Sequence, residues 1–195
     1  MTALIVNLKP AIDLTDDQFY ELCLRNRDLK FERNAQGDLI IMSPTGGESS
    51  QREAEVITDL GLWNRQTGLG KVFSSSGGFK LPNGADRAPD AAWVALGRWN
   101  ALTPTQRQKF PPLCPDFIIE IRSPNDSLST LQEKMQEYLE NGMQLGLLLN
   151  PQDRQVEVYR LGQAVEVLAN PDRVSCDPTL PGFVLELGRI FELDA

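Results

Sequence analysis

The stretch Phe117-Ile118-Ile119-Glu120-Ile121 decides the fold of this chain. It is a nearly continuous apolar run with one acid inside it, a pattern typical of a central strand that is covered on both faces. A second apolar run, LGLLL at residues 145–149, follows a segment with helical spacing at residues 128–140. A buried strand, a helix and another buried strand predict a mixed α/β domain with a central sheet.

The segments on either side of this centre add helices and hairpins. Thr15-Asp16-Asp17-Gln18 has the form of a capping box and predicts a helix over residues 15–28. A second, amphipathic helix is predicted over residues 48–66. The turn Asn34-Ala35-Gln36-Gly37 lies between two strand-like runs and predicts a hairpin. Further short strands are predicted at residues 72–75, 79–81, 90–94 and 183–185, with a meander around residues 156–167.

Composition excludes several classes of enzyme. A chain of 195 residues suits one domain with its own hydrophobic core. It contains no histidine, which excludes Ser-His-Asp triads, Cys-His dyads and HExxH zinc sites. The three cysteines are far apart in sequence and predict neither a zinc ribbon nor a disulfide scaffold. Any chemistry must therefore rest on carboxylates, lysines, arginines or hydroxyls.

Charge and hydropathy limit the partners. The formal net charge of −8 disfavours non-specific binding to nucleic acid, because neutralisation of phosphates supplies most of that affinity. No apolar run is as long as a membrane span, and the amino terminus has no basic region before a long apolar one. We therefore expect a cytoplasmic protein without a membrane partner.

Two acids are placed for chemistry, because each lies at or inside an apolar strand. Asp90 follows Pro89 and opens the run Ala91-Ala92-Trp93-Val94, and Glu120 lies within residues 117–121. Buried carboxylates are costly unless they are paired or bind a cation. Adjacent strands lie about 4.8 Å apart, so the two acids could share one divalent ion. Mg²⁺ suits this arrangement, since it takes one or two protein carboxylates and completes its shell with water and substrate oxygens.

Each candidate also has a purely structural interpretation. Asp90 could be a turn residue, and Glu120 could be an edge residue that Arg122 neutralises on the same side of its strand. Lys134 could be a solvated helix charge that pairs with a neighbouring acid. The neighbouring acids that could pair with Lys134 are Glu137 and Asp126. On the second helix, Glu48, Glu55 and Asp59 could simply form the solvated face.

Taken together, the motifs resemble a known nuclease family. The acidic helix, Pro89-Asp90, Glu120-Ile121-Arg122 and a lysine-bearing helix are similar to the PD-(D/E)xK arrangement. More specifically, the chain resembles the Uma-type family of restriction-endonuclease-like proteins over residues 39–191. The matching segments are MSPTGGE (42–48), FKLPNG (79–84), RAPDAAWV (87–94), PDFIIEIRSP (115–124), KMQEY (134–138), NG (141–142) and LPGF (180–183).

The resemblance implies a fold and an organisation. It implies a restriction-endonuclease-like fold, with a mixed central sheet flanked by helices and with additional hairpins. The chain is then a single domain over residues 1–195, with an N-terminal helix and hairpin at 1–38 and a nuclease-like core at 39–195.

The resemblance also implies roles for particular residues. Asp90 and Glu120 correspond to the two metal-binding acids, and the backbone carbonyl of Ile121 is the expected third ligand. The lysine of the motif is replaced by Arg122, which cannot accept a proton but can stabilise charge on phosphate. Some related nucleases carry the lysine on the following helix, which makes Lys134 the better candidate for that role. The helix acid of such nucleases corresponds to Glu48, with Glu55 in reserve.

The leading hypothesis is a Mg²⁺- or Mn²⁺-dependent endonuclease that acts on DNA. The alternative is a catalytically silent nuclease fold that serves binding or assembly, which the charge of −8 and the arginine at the lysine position favour. A carboxylate-based sugar hydrolase is the last alternative, and an aromatic content of 7% gives it no support. Dimers are common among nucleases that cut both strands, so a homodimer is one alternative for the assembly.

Overall fold

A computed structural model describes residues 4–42 and 44–192 of the chain. Its helices are α1 (Asp16–Arg25), α2 (Gly47–Thr67), α3 (Leu96–Ala101), α4 (Pro104–Gln108), α5 (Leu128–Glu140) and α6 (Gly188–Phe191). Its strands are β1 (Leu4–Val6), β2 (Lys30–Arg33), β3 (Leu39–Met42), β4 (Gly70–Ser74), β5 (Phe79–Lys80), β6 (Asp86–Arg87), β7 (Ala91–Ala95), β8 (Phe117–Ile121), β9 (Leu145–Asn150), β10 (Gln155–Arg160), β11 (Glu166–Ala169), β12 (Arg173–Ser175) and β13 (Val184–Glu186).

The large sheet forms the centre of the molecule, in the strand order β11-β10-β9-β8-β7-β4. The pair β8–β9 is parallel, and the other neighbouring pairs are antiparallel. Every residue of β8 and β9 is buried, as the two apolar runs predict. The mixed α/β fold with a central sheet and flanking helices is therefore confirmed.

Helices α2 and α5 cover opposite faces of the large sheet. Leu60 of α2 belongs to the same buried cluster as Ile119 of β8. Met135 of α5 belongs to a second buried cluster, together with Ile118 of β8. Because successive side chains of a strand alternate between faces, Glu120 lies on the α5 side with Ile118.

A smaller sheet has the strand order β1-β3-β2-β6-β5. The hairpin predicted around residues 34–37 is present and joins β2 to β3. Strand β2 carries two buried charged residues, Glu32 and Arg33, and Arg33 is paired in the ladder with the buried Asp86 of β6. The N-terminal hairpin therefore continues into the β5–β6 segment rather than forming a separate sheet.

Local signals explain where the main helices begin. Thr15 and Gln18 form the predicted capping box before α1, although α1 ends at Arg25 rather than at residue 28. Ser127 accepts a hydrogen bond from the amide of Thr130 and caps α5. Gly68 adopts a left-handed conformation with φ of 66°, which ends α2 in the way glycine favours.

The short helices α3, α4 and α6 were not predicted. Helix α4 did carry a signal, since Thr103 and Gln106 form a capping box and Pro104 occupies the first turn. In the described residues, none of the helices combines the length and the apolar character that a membrane crossing requires.

Candidate active site

The two predicted acids lie side by side at one end of the large sheet. The antiparallel ladder pairs Ala91 of β7 with Ile119 of β8, so the next position outward places Asp90 opposite Glu120. The amide of Ile121 donates a hydrogen bond to Oδ2 of Asp90 at 2.8 Å. This contact holds the Asp90 carboxylate against the end of β8.

Lys134 reaches the same place from α5. Its Nζ lies 2.8 Å from Oε1 of Glu120 and 2.9 Å from Oε1 of Glu32. Its ion-pair partners in the described part of the chain are therefore Glu32 and Glu120, rather than the neighbouring acids of its own helix. We call the residues Glu32, Asp90, Glu120 and Lys134 the carboxylate–lysine cluster.

The cluster is largely shielded from water, with Glu32 and Glu120 buried and Asp90 and Lys134 partly buried, and its charges interact strongly. Burial raises the pKa of Asp90 to about 7, and the nearby charge of Glu120 adds to the effect. Burial also disfavours the ammonium of Lys134, but the carboxylates of Glu120 and Glu32 outweigh it and raise its pKa above the usual range. Burial works against the Glu32 carboxylate as well, yet Lys134 and Arg87 lower its pKa to about 2. Lys134 and Glu32 are therefore charged at neutral pH.

A second layer of side chains orients the cluster. The hydroxyl of Tyr138 donates to Oε1 of Glu120 at 3.0 Å, and Tyr138 lies one helical turn after Lys134. Arg87 donates to Oε2 of Glu32 at 3.0 Å and to Oε2 of Glu137 at 2.6 Å. Because Lys134, Glu137 and Tyr138 are spaced three and four residues apart, one face of α5 presents all three side chains to the site.

Arg122 lies outside the cluster. Its guanidinium donates to Asp153 at 3.2 Å and to Asn150 at 3.3 Å, beside the start of the β9–β10 connection. The alternation of side chains along a strand predicts Arg122 on the same side as Glu120. Strand β8 ends at Ile121, however, so this alternation does not determine the direction of the Arg122 side chain. In this structure Glu120 is balanced by Lys134, and Arg122 does not neutralise it.

The acids proposed from α2 have their described ion-pair partners outside the cluster. The side chain of Glu48 is 73% exposed and pairs with Arg52 at 3.4 Å. Glu55 pairs with Arg189 of α6 at 3.6 Å. The face of α2 that carries these acids is turned toward α6.

Another α2 acid, Glu53, has a partner at the Asp90 end of the sheet. It accepts a hydrogen bond from the hydroxyl of Ser75, the residue that follows β4. Because Ser74 pairs with Ala91 in the ladder, Ser75 lies next to the position of Asp90. Glu53 therefore has its described partner at the Asp90 end of the large sheet.

The donor set fits a hard divalent cation that keeps water in its coordination shell. Within residues 4–42 and 44–192, no group of three or more His, Cys, Asp or Glu residues is placed to hold a metal ion. Asp90 and Glu120 supply two carboxylates, which is the number that Mg²⁺ commonly takes from a protein. The described hydrogen bonds to these acids use Oδ2 of Asp90 and Oε1 of Glu120, leaving the other oxygen of each without a described donor. The residues therefore fit Mg²⁺ or Mn²⁺, but not a site made only of protein ligands.

Sequence reasoning missed Glu32, Arg87 and Glu53 as members of the site or its surroundings. Glu32 lies in the run Lys30-Phe31-Glu32-Arg33, where its alternation with charged neighbours resembles that of an exposed edge strand. The sequence signal that could have found Glu32 was Arg87. It lies three residues before Asp90, so it places a cation next to an acid that the resemblance assigns to metal binding.

Comparisons with known proteins identify a family and a similar fold. A family model described as "Uma2: Putative restriction endonuclease" matches residues 16–188. A crystal structure described as "a putative nuclease belonging to DUF820" from Anabaena variabilis superimposes with a TM-score of 0.74 at 22% identity, covering 91% of this chain and 97% of that chain. A search of curated proteins gives no match. The family match spans most of the sequence, and the chain belongs to the Uma2 family.

Proposed function

We propose that this protein is a Mg²⁺- or Mn²⁺-dependent endonuclease that hydrolyses phosphodiester bonds in DNA. The observation that supports the proposal is the convergence of Asp90 and Glu120 from adjacent strands, with the ammonium of Lys134 2.8 Å from Glu120. Membership of the family described as "Putative restriction endonuclease" supports the same class of reaction.

Asp90, Glu120 and the backbone carbonyl of Ile121 are the proposed ligands of the cation. When bound, the cation lowers the pKa of a coordinated water and polarises a phosphoryl oxygen. Asp90 is positioned for this role by the amide of Ile121, and Glu120 is positioned by the hydroxyl of Tyr138. Both acids are therefore held in place before substrate arrives.

Lys134 is proposed to orient the attacking water and to stabilise negative charge on the phosphate. Its raised pKa keeps the ammonium protonated, so the side chain acts as a hydrogen-bond donor and a fixed positive charge. The alternative role of proton acceptor requires a neutral amine, and the two carboxylates beside Lys134 oppose that form.

Arg122 and Glu48 remain proposed participants, for phosphate binding and for a second metal. Their side chains must leave Asp153 and Arg52, respectively, to reach the cluster. A loss of activity in Arg122→Ala or Glu48→Gln would support such a movement when substrate binds. Unchanged activity would restrict the machinery to the carboxylate–lysine cluster and its immediate neighbours.

Cleavage of supercoiled plasmid DNA with Mn²⁺ or Mg²⁺ tests the proposal. Asp90→Asn and Glu120→Gln should abolish cleavage, since each removes one charged ligand with little change in volume. Asp116→Asn is the matched control, because Asp116 is a buried acid at the opposite end of β8 that pairs with Arg98 at 2.8 Å. Cleavage that survives both cluster substitutions would refute the assignment.

The second candidate function is a silent nuclease fold used for binding or assembly. The observation that favours it is the net charge of −8, which opposes contact with a polyanion. The two candidates differ in metal binding, because a ligand that binds only the folded state raises its stability. A rise in melting temperature with Mn²⁺ that disappears in Asp90→Asn supports the enzyme, and no rise favours the silent fold.

A further inference from the structure

We propose that Glu32 of the small sheet is a positioning residue for Lys134, so that the N-terminal hairpin completes the active site. The inference rests on the proposed function and adds a residue from outside the predicted nuclease-like core. Glu32 is 3% exposed, and its Oε1 lies 2.9 Å from Nζ of Lys134. A lysine side chain has four rotatable bonds, and a second anchor restricts where its ammonium can lie.

Glu32 is itself held firmly by neighbouring groups. The amide of Ala88 donates to Oε1 at 2.9 Å, and Arg87 donates to Oε2 at 3.0 Å. Arg87 is fixed in turn by Glu137 on α5. Both carboxylate oxygens of Glu32 are therefore engaged, and the side chain provides a fixed point on the N-terminal side of the site.

The second carboxylate changes what Lys134 can do. Without Glu32, the described anionic partner of Lys134 would be Glu120 alone, which is also a proposed cation ligand. The ammonium and the cation would then compete for one carboxylate. With Glu32 present, Lys134 keeps an anionic partner that is not a proposed ligand, and Glu120 can engage the cation while Lys134 stays in place.

Matched variants separate positioning from stability. Glu32→Gln removes the charge that anchors Lys134 and keeps the side-chain volume. Asp86→Asn is the control, because Asp86 is equally buried in the same sheet and forms an ion pair with Arg33 at 2.7 Å, without contacting Lys134. Both variants break a buried ion pair, so both lose stability, and circular dichroism first establishes that each is folded.

The first measurement needs neither metal nor substrate. Side-chain ¹⁵N NMR of lysine detects ammonium groups whose hydrogen bonds slow exchange with water. In the metal-free protein we expect a signal from Lys134, assigned by its absence in Lys134→Arg. The signal should be lost or shifted in Glu32→Gln and retained in Asp86→Asn. Retention of the unchanged signal in folded Glu32→Gln would overturn the proposal.

The second measurement is steady-state cleavage of a DNA duplex with Mn²⁺. Loss of a residue that orients a catalytic group typically lowers activity by about 10- to 100-fold. We expect that fall in kcat for Glu32→Gln, with KM changed less than about twofold because the lost contact is not with DNA. Glu32→Asp restores the charge at a shorter reach and should recover part of kcat. An equal fall of kcat in Asp86→Asn would assign the effect to stability and overturn the proposal.

The two measurements separate this inference from the proposed function. Wild-type protein that cleaves no DNA with either metal would overturn the endonuclease proposal and not the positioning role. The NMR measurement then decides on Glu32 alone: a loss of the Lys134 signal in Glu32→Gln but not in Asp86→Asn supports positioning, and equal behaviour of the two variants refutes it.

Discussion

Replacing Lys134 by methionine removes the cation that, among residues 4–42 and 44–192, forms ion pairs with both Glu32 and Glu120. The side chains of these two acids are 3% and 5% exposed, so water cannot replace the lost charge without opening the site. Breaking a buried ion pair by removing one partner costs about 3–5 kcal/mol of stability. For a chain of this size, each kcal/mol changes the melting temperature by about 2–4 °C. In the absence of metal we therefore expect Lys134→Met to melt about 6–20 °C below the wild type.

The matched control is Lys109→Met. Lys109 also forms a short ion pair, 2.6 Å from Asp17, but the two side chains are 42% and 80% exposed. Water and salt screen such a pair, so this substitution should leave stability nearly unchanged. Urea denaturation in EDTA at neutral pH compares the free energy of unfolding of the wild type, Lys134→Met and Lys109→Met.

Added Mn²⁺ extends the test to the chemistry of the site. Lys134→Met leaves three carboxylates of the cluster without the ammonium, so a divalent cation should stabilise the variant more than the wild type. If Lys134→Met loses no more stability than Lys109→Met, the cluster is open to water and the reasoning about buried charge is wrong. If Mn²⁺ fails to stabilise the variant, the acids do not converge on one cation.

Three further outcomes follow from burial and packing. The pKa of Glu32 is about 2 in the folded chain, against an ordinary value of 4.5. The ionised carboxylate therefore contributes stability above pH 4.5, and this contribution is lost as the pH falls toward 2. The difference between the two pKa values corresponds to about 3 kcal/mol in the free energy of unfolding. Urea denaturation at several acidic pH values measures the free energy of unfolding of the wild type and of Glu32→Gln. The difference between the two free energies should narrow below pH 4.5, and a difference that stays constant would contradict the interaction of Glu32 with Lys134 and Arg87. Gly70→Ala should lower stability by about 1–3 kcal/mol, since a Cβ there overlaps the indole of Trp93, and an unchanged urea midpoint would exclude that overlap. Burial raises the thiol pKa of Cys114 and of Cys176 to about 12, so neither should react with iodoacetamide at pH 8 in the native protein, as mass spectrometry would record.

The sequence predicted the parts of the site that depend on local pattern. An acid inside an apolar strand and an acid opening another strand identified Glu120 and Asp90, whereas Lys134 was a candidate only through the family resemblance. The structure brings the three residues together. The bounds of β8 and α5 agree with the predicted segments, since β8 is a nearly continuous apolar run and α5 has helical spacing of its apolar residues. Local pattern is reliable where the neighbours along the chain determine which face is buried.

Glu32 and Arg122 show where local pattern stops being informative. The sequence around Glu32 is typical of an exposed strand, and its burial depends on Arg87 and Lys134, which are distant in sequence. Arg122 was placed beside Glu120 by extending strand alternation one position beyond the end of β8, where the side chain instead joins Asp153. Both outcomes are set by tertiary contacts that no short window contains.

The charge balance of the cluster gives a reason for its architecture. Glu32, Asp90 and Glu120 contribute three carboxylates when ionised, and Lys134 contributes one positive charge. Arg87 adds a second cation but shares it with Glu137, so the cluster is left short of positive charge. An excess of carboxylates that is shielded from water is stable only if it binds protons or cations. The pKa of Asp90, raised to about 7, shows that its carboxylate takes up a proton readily. The divalent cation that we propose as bound by Asp90 and Glu120 would remove the same excess without a proton. The carboxylate of Glu32 would then give Lys134 an anionic partner other than Glu120.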